Sequence, residues 1–293
     1  KHSRVDFVRL ACHYNELQKT LEVAKILIKK GYQTAVNLMQ ITERSNKEIL
    51  DAGKLAREAK INILYFADSL GSMNNKHIEN VVQTLNKNWK GDLGIHTHNN
   101  LGLALSNTVV AIKEGVNWVD STVMGMGRGA GNAQTEYLIL ELEKYKNKFK
   151  NNLSLLKLIE KSFKPLFQKY KWGPNSYYYL AGKFGIHPTY IQEMINIKLD
   201  ENEMLEGITQ LKNYGASRYD VNLVRSEFQK PIKLQKGEWS PKSKIKGKEV
   251  LLVTSGPNLL QDKIEIENYI KKYKPLVIAL NSSSFINKKL IDL

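Results

Sequence analysis

Cysteine is nearly absent from this sequence. Cys12 stands alone, so no disulfide can close within the chain and a cysteine-based metal cluster is excluded. That usage suits a reducing compartment, and a cytoplasmic location is the expectation. No apolar run approaches the roughly 18 residues of a membrane span, so no membrane partner is expected. Acidic residues are scarce beside basic ones: 29 Asp and Glu against 44 Lys and Arg, a formal net charge of +15. Such a balance suits nucleic acid, acidic lipid or an anionic small molecule. No nucleic-acid-binding motif accompanies the lysines, however, and aromatics do not alternate with them. The lysines spread along helix faces and are denser only at Lys144–Lys150 and Lys230–Lys248. No nucleic-acid partner is expected. The chain opens at Lys1 and runs almost at once into a strand-like stretch, as a piece of a longer protein would.

Up to about residue 145, short apolar strands alternate with amphipathic helices. The strands read as Val5–Ala11, Thr34–Ile41, Ile61–Ala67, Leu93–His98 and Val116–Val123. The helices between and after them read as Leu17–Lys30, Asn46–Lys60, His77–Trp89, Ala104–Glu114 and Thr135–Tyr145. Strands recurring at the spacing of βα units predict a parallel sheet in an α/β fold. Periodicity alone does not choose between an open doubly wound sheet and part of a barrel. Either way the chemistry belongs at the C-terminal ends of the strands, and the polar residues gather there: Cys12-His13, Thr42-Glu43, Asp68-Ser69, His96 to Asn100, and Gly125 onwards.

Residues 151–225 read as a helical extension, with segments Leu153–Tyr170, Ser176–Phe184, Pro188–Ile195 and Glu201–Tyr214. Residues 226–248 are Lys-rich, hold Pro231 and Pro241, and lack apolar periodicity, as a linker does. Residues 249–293 begin another α/β unit: strand Glu249–Thr254, turn Ser255-Gly256-Pro257, helix Asp262–Tyr273 and strand Leu276–Leu280. The turn reads as a phosphate cradle of a Rossmann-like domain or as a plain strand–helix turn.

Three constellations carry chemistry. In His96-Thr97-His98, positions i and i+2 of a strand project to one face, so both imidazoles can reach one ion. Neutral imidazole suits Mn, Fe, Co or Zn; the alternative is a pair that only hydrogen-bonds the core. Asp68-Ser69-Leu70-Gly71 puts a carboxylate and a hydroxyl at a strand mouth, to orient the histidines or hold a substrate carboxylate. An Asx turn capping the next helix is the plainer reading. The loop Gly125-Met126-Gly127-Arg128-Gly129-Ala130-Gly131-Asn132 can offer backbone amides and Arg128 to an anion, and Asn132 can offer an oxygen to a hard ion. It can also be a tight loop that needs glycines. Coming after the fifth strand, it does not fit a nicotinamide site.

Together the segments "VDFVRLACHYNE", "FADSLG" and "GIHTHNNLGLALSNTVVAIKEGVNWVDSTVMGMGRGAGNAQTE" resemble the pyruvate aldolases that cleave 4-hydroxy-2-oxovalerate. More broadly they resemble the superfamily of 3-hydroxy-3-methylglutaryl-CoA lyase and isopropylmalate synthase. The resemblance runs from about Val5 to Glu143, in order. It implies a (β/α)8 TIM barrel whose last five βα units, strands 4–8, lie in residues 1–150. The first strands fall outside this chain. With them fall a diagnostic Arg-Asp pair, which supplies an arginine and an aspartate metal ligand, and a histidine base. The chain by itself is therefore expected to be inactive.

By position, the resemblance makes His96 and His98 metal ligands and Asn132 a ligand of the acyl-CoA lyase branch. It puts Ser69 on a pyruvyl carboxylate with Asp68 beside it. A tyrosine of the helical extension would assist acid–base chemistry; Tyr177, Tyr178 and Tyr179 are the candidates, with Tyr178 taken forward. Gly127, Arg128 and Gly129 are expected to touch substrate. His13 and Cys12 are candidates for the mouth, His187 reads as a helix-start residue, and His77 as surface.

The implied activity is metal-dependent aldol cleavage of a 4-hydroxy-2-oxo acid to pyruvate and an aldehyde, through an enolate that the metal stabilises. Mn²⁺ is the expected cofactor, ahead of Mg²⁺, Co²⁺ or Zn²⁺. The partners expected are a 2-oxo acid substrate, a second copy in a homodimer, and an aldehyde dehydrogenase. Claisen-type chemistry with an acyl-CoA is the alternative on the same barrel, and the His-Thr-His-Asn-Asn run leans away from it. Two other classes stay open: a multidomain biosynthetic protein whose C-terminal module binds a nucleotide or sugar-phosphate, and an inert scaffold.

Overall fold

The computed structural model describes residues 4–143, 153–227, 245–254, 262–279 and 286–292. Ser255-Gly256-Pro257 and most of the expected linker lie outside them. The chain divides into two compact units, Lys1–Lys230 and Pro231–Leu293. The expected boundary near residue 150 is therefore not one between compact bodies. The barrel segment and the helical extension share one unit, and the reason is a set of bonds between them described below.

The first unit opens with β1 (Phe7–Cys12), α1 (Leu17–Lys29), β2 (Gln33–Leu38), α2 (Asn46–Glu58), β3 (Ile63–Asp68), α3 (Asn75–Asn88), β4 (Asp92–Thr97), α4 (Ala104–Lys113), β5 (Trp118–Val119) and α5 (Thr135–Glu143). The strands pair in parallel in the order β1-β2-β3-β4-β5. Helix starts follow the sequence closely where a cap fixes them. Ser45 and Glu48 form a capping box at α2, and Asn74 with His77 does the same at α3. His77 is exposed there, as expected. The strand read at Val116–Val123 contracts to two paired residues, because β5 is an edge and the chain turns out of the sheet at Asp120.

One side of the sheet packs on α1–α4. Leu21, Val36, Leu64, Phe66, Ile78 and Leu85 belong to that core, and Cys12 lies in it at 2% exposure. Cys12 thus faces the helices and not the mouth, a correction that follows from strand alternation. The other side is concave, with Ala35, Ile63 and Tyr65 clustered against Phe7. Its curvature decides between sheet and barrel. Strands lie about 4.8 Å apart, so the edges of a flat five-stranded sheet would be separated by roughly 19 Å. Here the edge strands touch through their side chains. Arg9 on β1 meets Asp120 beyond β5 at 2.8 Å, and the Phe7 and Trp118 rings stack 5.7 Å apart. The sheet curls as a TIM barrel does, with inward side chains of opposite strands packing in its middle.

The helical extension holds α6 (Leu153–Leu158), a π turn (Ile159–Phe163), α7 (Lys164–Tyr170), α8 (Ser176–Phe184), α9 (Pro188–Asn196), α10 (Glu201–Tyr214) and α11 (Val221–Glu227). The π turn just ahead of Pro165 is where the run loses a backbone donor. Tyr178, Tyr190, Ile191, Met194, Ile208 and Leu211 form a second core, and Ala130 of the glycine-rich loop packs into it. Bonds tie this layer to the rim: Asn100 Nδ2 to the Tyr178 carbonyl (3.2 Å), Trp172 Nε1 to the Met124 carbonyl (2.9 Å) and Gln40 Nε2 to the Ser217 carbonyl (2.9 Å). No helix among the described residues is long and apolar enough to cross a membrane.

In the second unit, β6 (Val250–Val253) and β7 (Leu276–Ala279) pair in parallel, with α12 (Lys263–Tyr273) between them in sequence. Val253, Ile270, Val277 and Ile286 form its core.

Candidate metal centre and its surroundings

His96 lies in β4 and His98 just beyond it, and their rings come together as the i, i+2 spacing predicts. The ring centroids are 4.8 Å apart at an interplanar angle of 85°. Each Nδ1 is engaged. That of His98 lies 2.9 Å from the Asp68 carbonyl, and that of His96 lies 2.9 Å from Asp120 Oδ2. A carbonyl only accepts, so the His98 proton is on Nδ1 and its Nε2 lone pair is bare. Burial, above all, and then the neighbouring His96 push His98 down to about 4, so it is neutral near neutral pH. Against the pull of burial, the bonds from His96 and Arg9 hold Asp120 below its usual range, and its Oδ2 accepts a hydrogen bond from His96 Nδ1.

These features fit a divalent cation. Metal-bound imidazoles are commonly fixed through their second nitrogen by a carboxylate or a carbonyl. With ring centres 4.8 Å apart, both imidazoles stand close enough to face one ion. The donor set is incomplete: no group of three His, Cys, Asp or Glu gathers among the described residues. Asn132 is the further oxygen donor that the sequence singles out. It faces His98 across an isolated antiparallel bridge, and its Nδ2 donates to the Met126 carbonyl at 3.2 Å.

Asp68 follows the plainer expectation. Its carboxylate, fully buried, accepts from the Ser72 and Met73 amides at 3.0 and 3.1 Å, and burial still pushes it up to about 6. It organises the turn, and its carbonyl is the part that reaches His98; the catalytic part expected of the carboxylate is not what these bonds serve. Ser69 Oγ accepts from the Gln40 amide at 2.9 Å, which leaves its proton free to donate.

In the glycine-rich loop, amides of Gly125, Met126, Gly131 and Asn132 bond within the loop or to its base. Those of Gly127, Arg128 and Gly129 have no acceptor among the described residues. Gly131 (φ +77) is required: a Cβ there would lie 2.3 Å from the Gly125 carbonyl oxygen. Arg128 makes no ion pair among the described residues. It lines a cavity of about 540 Å³ with Gly127, Gly129, Lys171, Gln192 and Tyr178. Of the three tyrosines, Tyr178 is the one set against this loop; Tyr179 is 47% exposed and Tyr177 packs on the helical core. Burial raises the Tyr178 hydroxyl above its ordinary value and Arg128 partly offsets this.

Some site residues were not apparent from the sequence. Asp120 and Arg9 are the clearest, and an arginine inside the apolar strand β1 was the signal for them. Glu136 is another: its Oε2 accepts the Met124 amide at 3.0 Å and steadies a left-handed residue (φ 53) at the rim. His187 caps α9, its Nδ1 accepting from the Thr189 amide at 3.3 Å, as expected of a helix-start residue. Burial and Arg128 together push it down to about 4.

A model of the HMGL-like family matches residues 8–162, more than half of the chain. The chain belongs to the HMGL-like family. A 4-hydroxy-2-oxovalerate aldolase of Bacillus cereus is 30% identical over 153 residues, 52% of this chain and 44% of that protein. An oxaloacetate decarboxylase of Mycobacterium tuberculosis is 31% identical over 140 residues, 48% of this chain and 42% of that one. The chain thus spans less than half the length of either relative. Among solved structures, the N-terminal domain of a candidate aldolase from Bacteroides vulgatus superposes with a TM-score of 0.62 at 28% identity, covering 69% of this chain and 67% of that one. The HMGL-like assignment agrees with the curled parallel sheet.

Proposed function

We propose that the protein acts as a divalent-metal-dependent carbon–carbon lyase, cleaving a 4-hydroxy-2-oxo acid to pyruvate and an aldehyde or running the reverse condensation. The observation that carries this reading is the pair His96 and His98, their ring centres 4.8 Å apart and each Nδ1 held 2.9 Å from an oxygen. His96 and His98 would hold the ion, with Asn132 as a further oxygen donor. Two imidazoles among oxygen ligands favour Mn²⁺ over Mg²⁺. When bound, the cation supplies electrophilic stabilisation of charge developing on the 2-oxo oxygen.

The chain's own residues do the rest of what is assigned here. Ser69 and Arg128, which have no acceptor for the hydroxyl proton and no carboxylate partner among the described residues, can bind the substrate carboxylate. Tyr178 is protonated at neutral pH, and burial raises its hydroxyl further above its ordinary value, so it can donate a hydrogen bond to a substrate oxygen or a proton to the enolate. The base for the 4-hydroxyl proton is assigned to no residue of this chain.

A second reading is decarboxylation of oxaloacetate, favoured by the Mycobacterium tuberculosis relative. Both reactions break the bond between the third and fourth carbons of a 2-oxo acid and leave a pyruvate enolate. Exchange of the pyruvate methyl protons in D2O by the full-length protein, followed by proton NMR with and without Mn²⁺, tests the shared half. Metal-dependent exchange that His98→Ala abolishes supports it. Exchange that neither removing Mn²⁺ nor that substitution slows speaks against it. Adding 4-hydroxy-2-oxovalerate or oxaloacetate then separates aldehyde release from CO2 release.

A further inference from the structure

The contact between His96 and Asp120 belongs to a longer chain of bonds. The two oxygens of the Asp120 carboxylate have different partners: Oδ1 accepts from Arg9 Nη1 at 2.8 Å, and Oδ2 faces His96 Nδ1 at 2.9 Å. The Arg9 guanidinium lies 4.6 Å from the centre of the Tyr65 ring, and that ring fills the space above Gly94. One side of the carboxylate is therefore held by a group that can only donate, and an aromatic face fixes that group in turn. The side chains come from opposite edges of the curled sheet, 111 residues apart.

We propose that Asp120, oriented by Arg9, is the positioning residue that decides which ring nitrogen of His96 is free for a metal ion. This rests on the metal-centre reading given above. A carboxylate accepts and does not donate, so it keeps the ring proton on Nδ1 and leaves the lone pair on Nε2. For His98 a backbone carbonyl does the same, and no side-chain substitution removes it. The pair thus contains its own control.

Asp120→Asn separates this role from a merely structural one. Arg9 still only donates, so it takes the amide oxygen and turns the amide NH2 towards His96. Nδ1 must then accept, the ring proton moves to Nε2, and the lone pair facing the metal is lost. Adding Arg9→Met releases the amide, whose oxygen can rotate back to His96.

The test uses the full chain labelled with ¹⁵N-histidine, with ring-nitrogen spectra recorded metal-free and then a titration with Mn²⁺ alone. In the wild type both histidines carry the proton on Nδ1. In D120N His96 switches, His98 does not, and Mn²⁺ binds about ten- to a hundred-fold more weakly. The double variant recovers part of both. A wild-type His96 protonated at Nε2, a D120N spectrum still showing Nδ1–H, or D120N affinity within twofold of wild type overturns the assignment. Should D120N not fold, the wild-type spectrum still decides it. If the wild type binds no Mn²⁺, the metal-centre reading fails while the tautomer result still stands or falls on its own.

Discussion

Asn100 donates its side-chain amide to the carbonyl of Tyr178, 3.2 Å away and 78 residues along the chain. Asn100 is 2% exposed, and Gly71 and Gly182 both come so close that a Cβ on either would meet its side chain at under 3 Å. This one residue ties the loop after the histidines to the helix that carries the proposed acid.

Asn100→Ala therefore removes a buried hydrogen bond and leaves a gap between the two layers. The expected cost is about 1–3 kcal/mol, read from the denaturation midpoint, with α8 losing amide-exchange protection before β3 does. Uniform loss of protection across both layers would show that the rim and the helical layer are tied by other means.

Gly94 sits beneath Tyr65, where a Cβ would lie 2.5 Å from the ring. Gly94→Ala should destabilise by about 1–3 kcal/mol through overpacking, and Tyr65→Leu in the same chain should recover part of that loss. The recovery matters more than the loss, because a double variant as unstable as the single one would place the clash elsewhere.

His187 gives a pH signature. Its folded value of about 4 lies below the ordinary 6.5, so between these values the unfolded chain binds more protons and stability rises with pH. The contribution is present above about pH 6.5 and is lost as pH falls towards 4. His187→Asn keeps an N-cap and should flatten the stability–pH slope in that window. Asp68 works in the opposite sense: its folded value of about 6 exceeds the ordinary 3.8, so its cost to stability grows as pH rises from about 4 to 6. An unchanged slope in His187→Asn would mean that this imidazole titrates normally in the fold.

Local signals carried most of the fold. Ser176–Phe184 and Glu201–Tyr214 are read to the residue because Asn175 and Gly185, and Asp200 and Gly215, bracket them with caps and left-handed stops. The inward pairing of His96 and His98 follows from strand alternation alone. What local pattern could not supply is contact across the barrel. Nothing near Asp120 marks it as the partner of Arg9. Asp68 shows the converse: a carboxylate beside a proposed ligand looks catalytic, yet the turn's own amides claim it first. The run Val116–Val123 reads as a strand yet pairs only at Trp118–Val119, since hydrophobicity marks a segment as buried but not as paired.

The central claim is that His96 and His98 together hold one divalent cation. A Mn²⁺ titration followed by electron paramagnetic resonance, on the wild type and on His96→Ala and His98→Ala, tests it most directly, with circular dichroism to show that each variant is folded. The account predicts one bound equivalent per chain in the wild type, with nitrogen hyperfine coupling, and loss of that binding in each variant. Wild-type binding retained by either folded variant would contradict it.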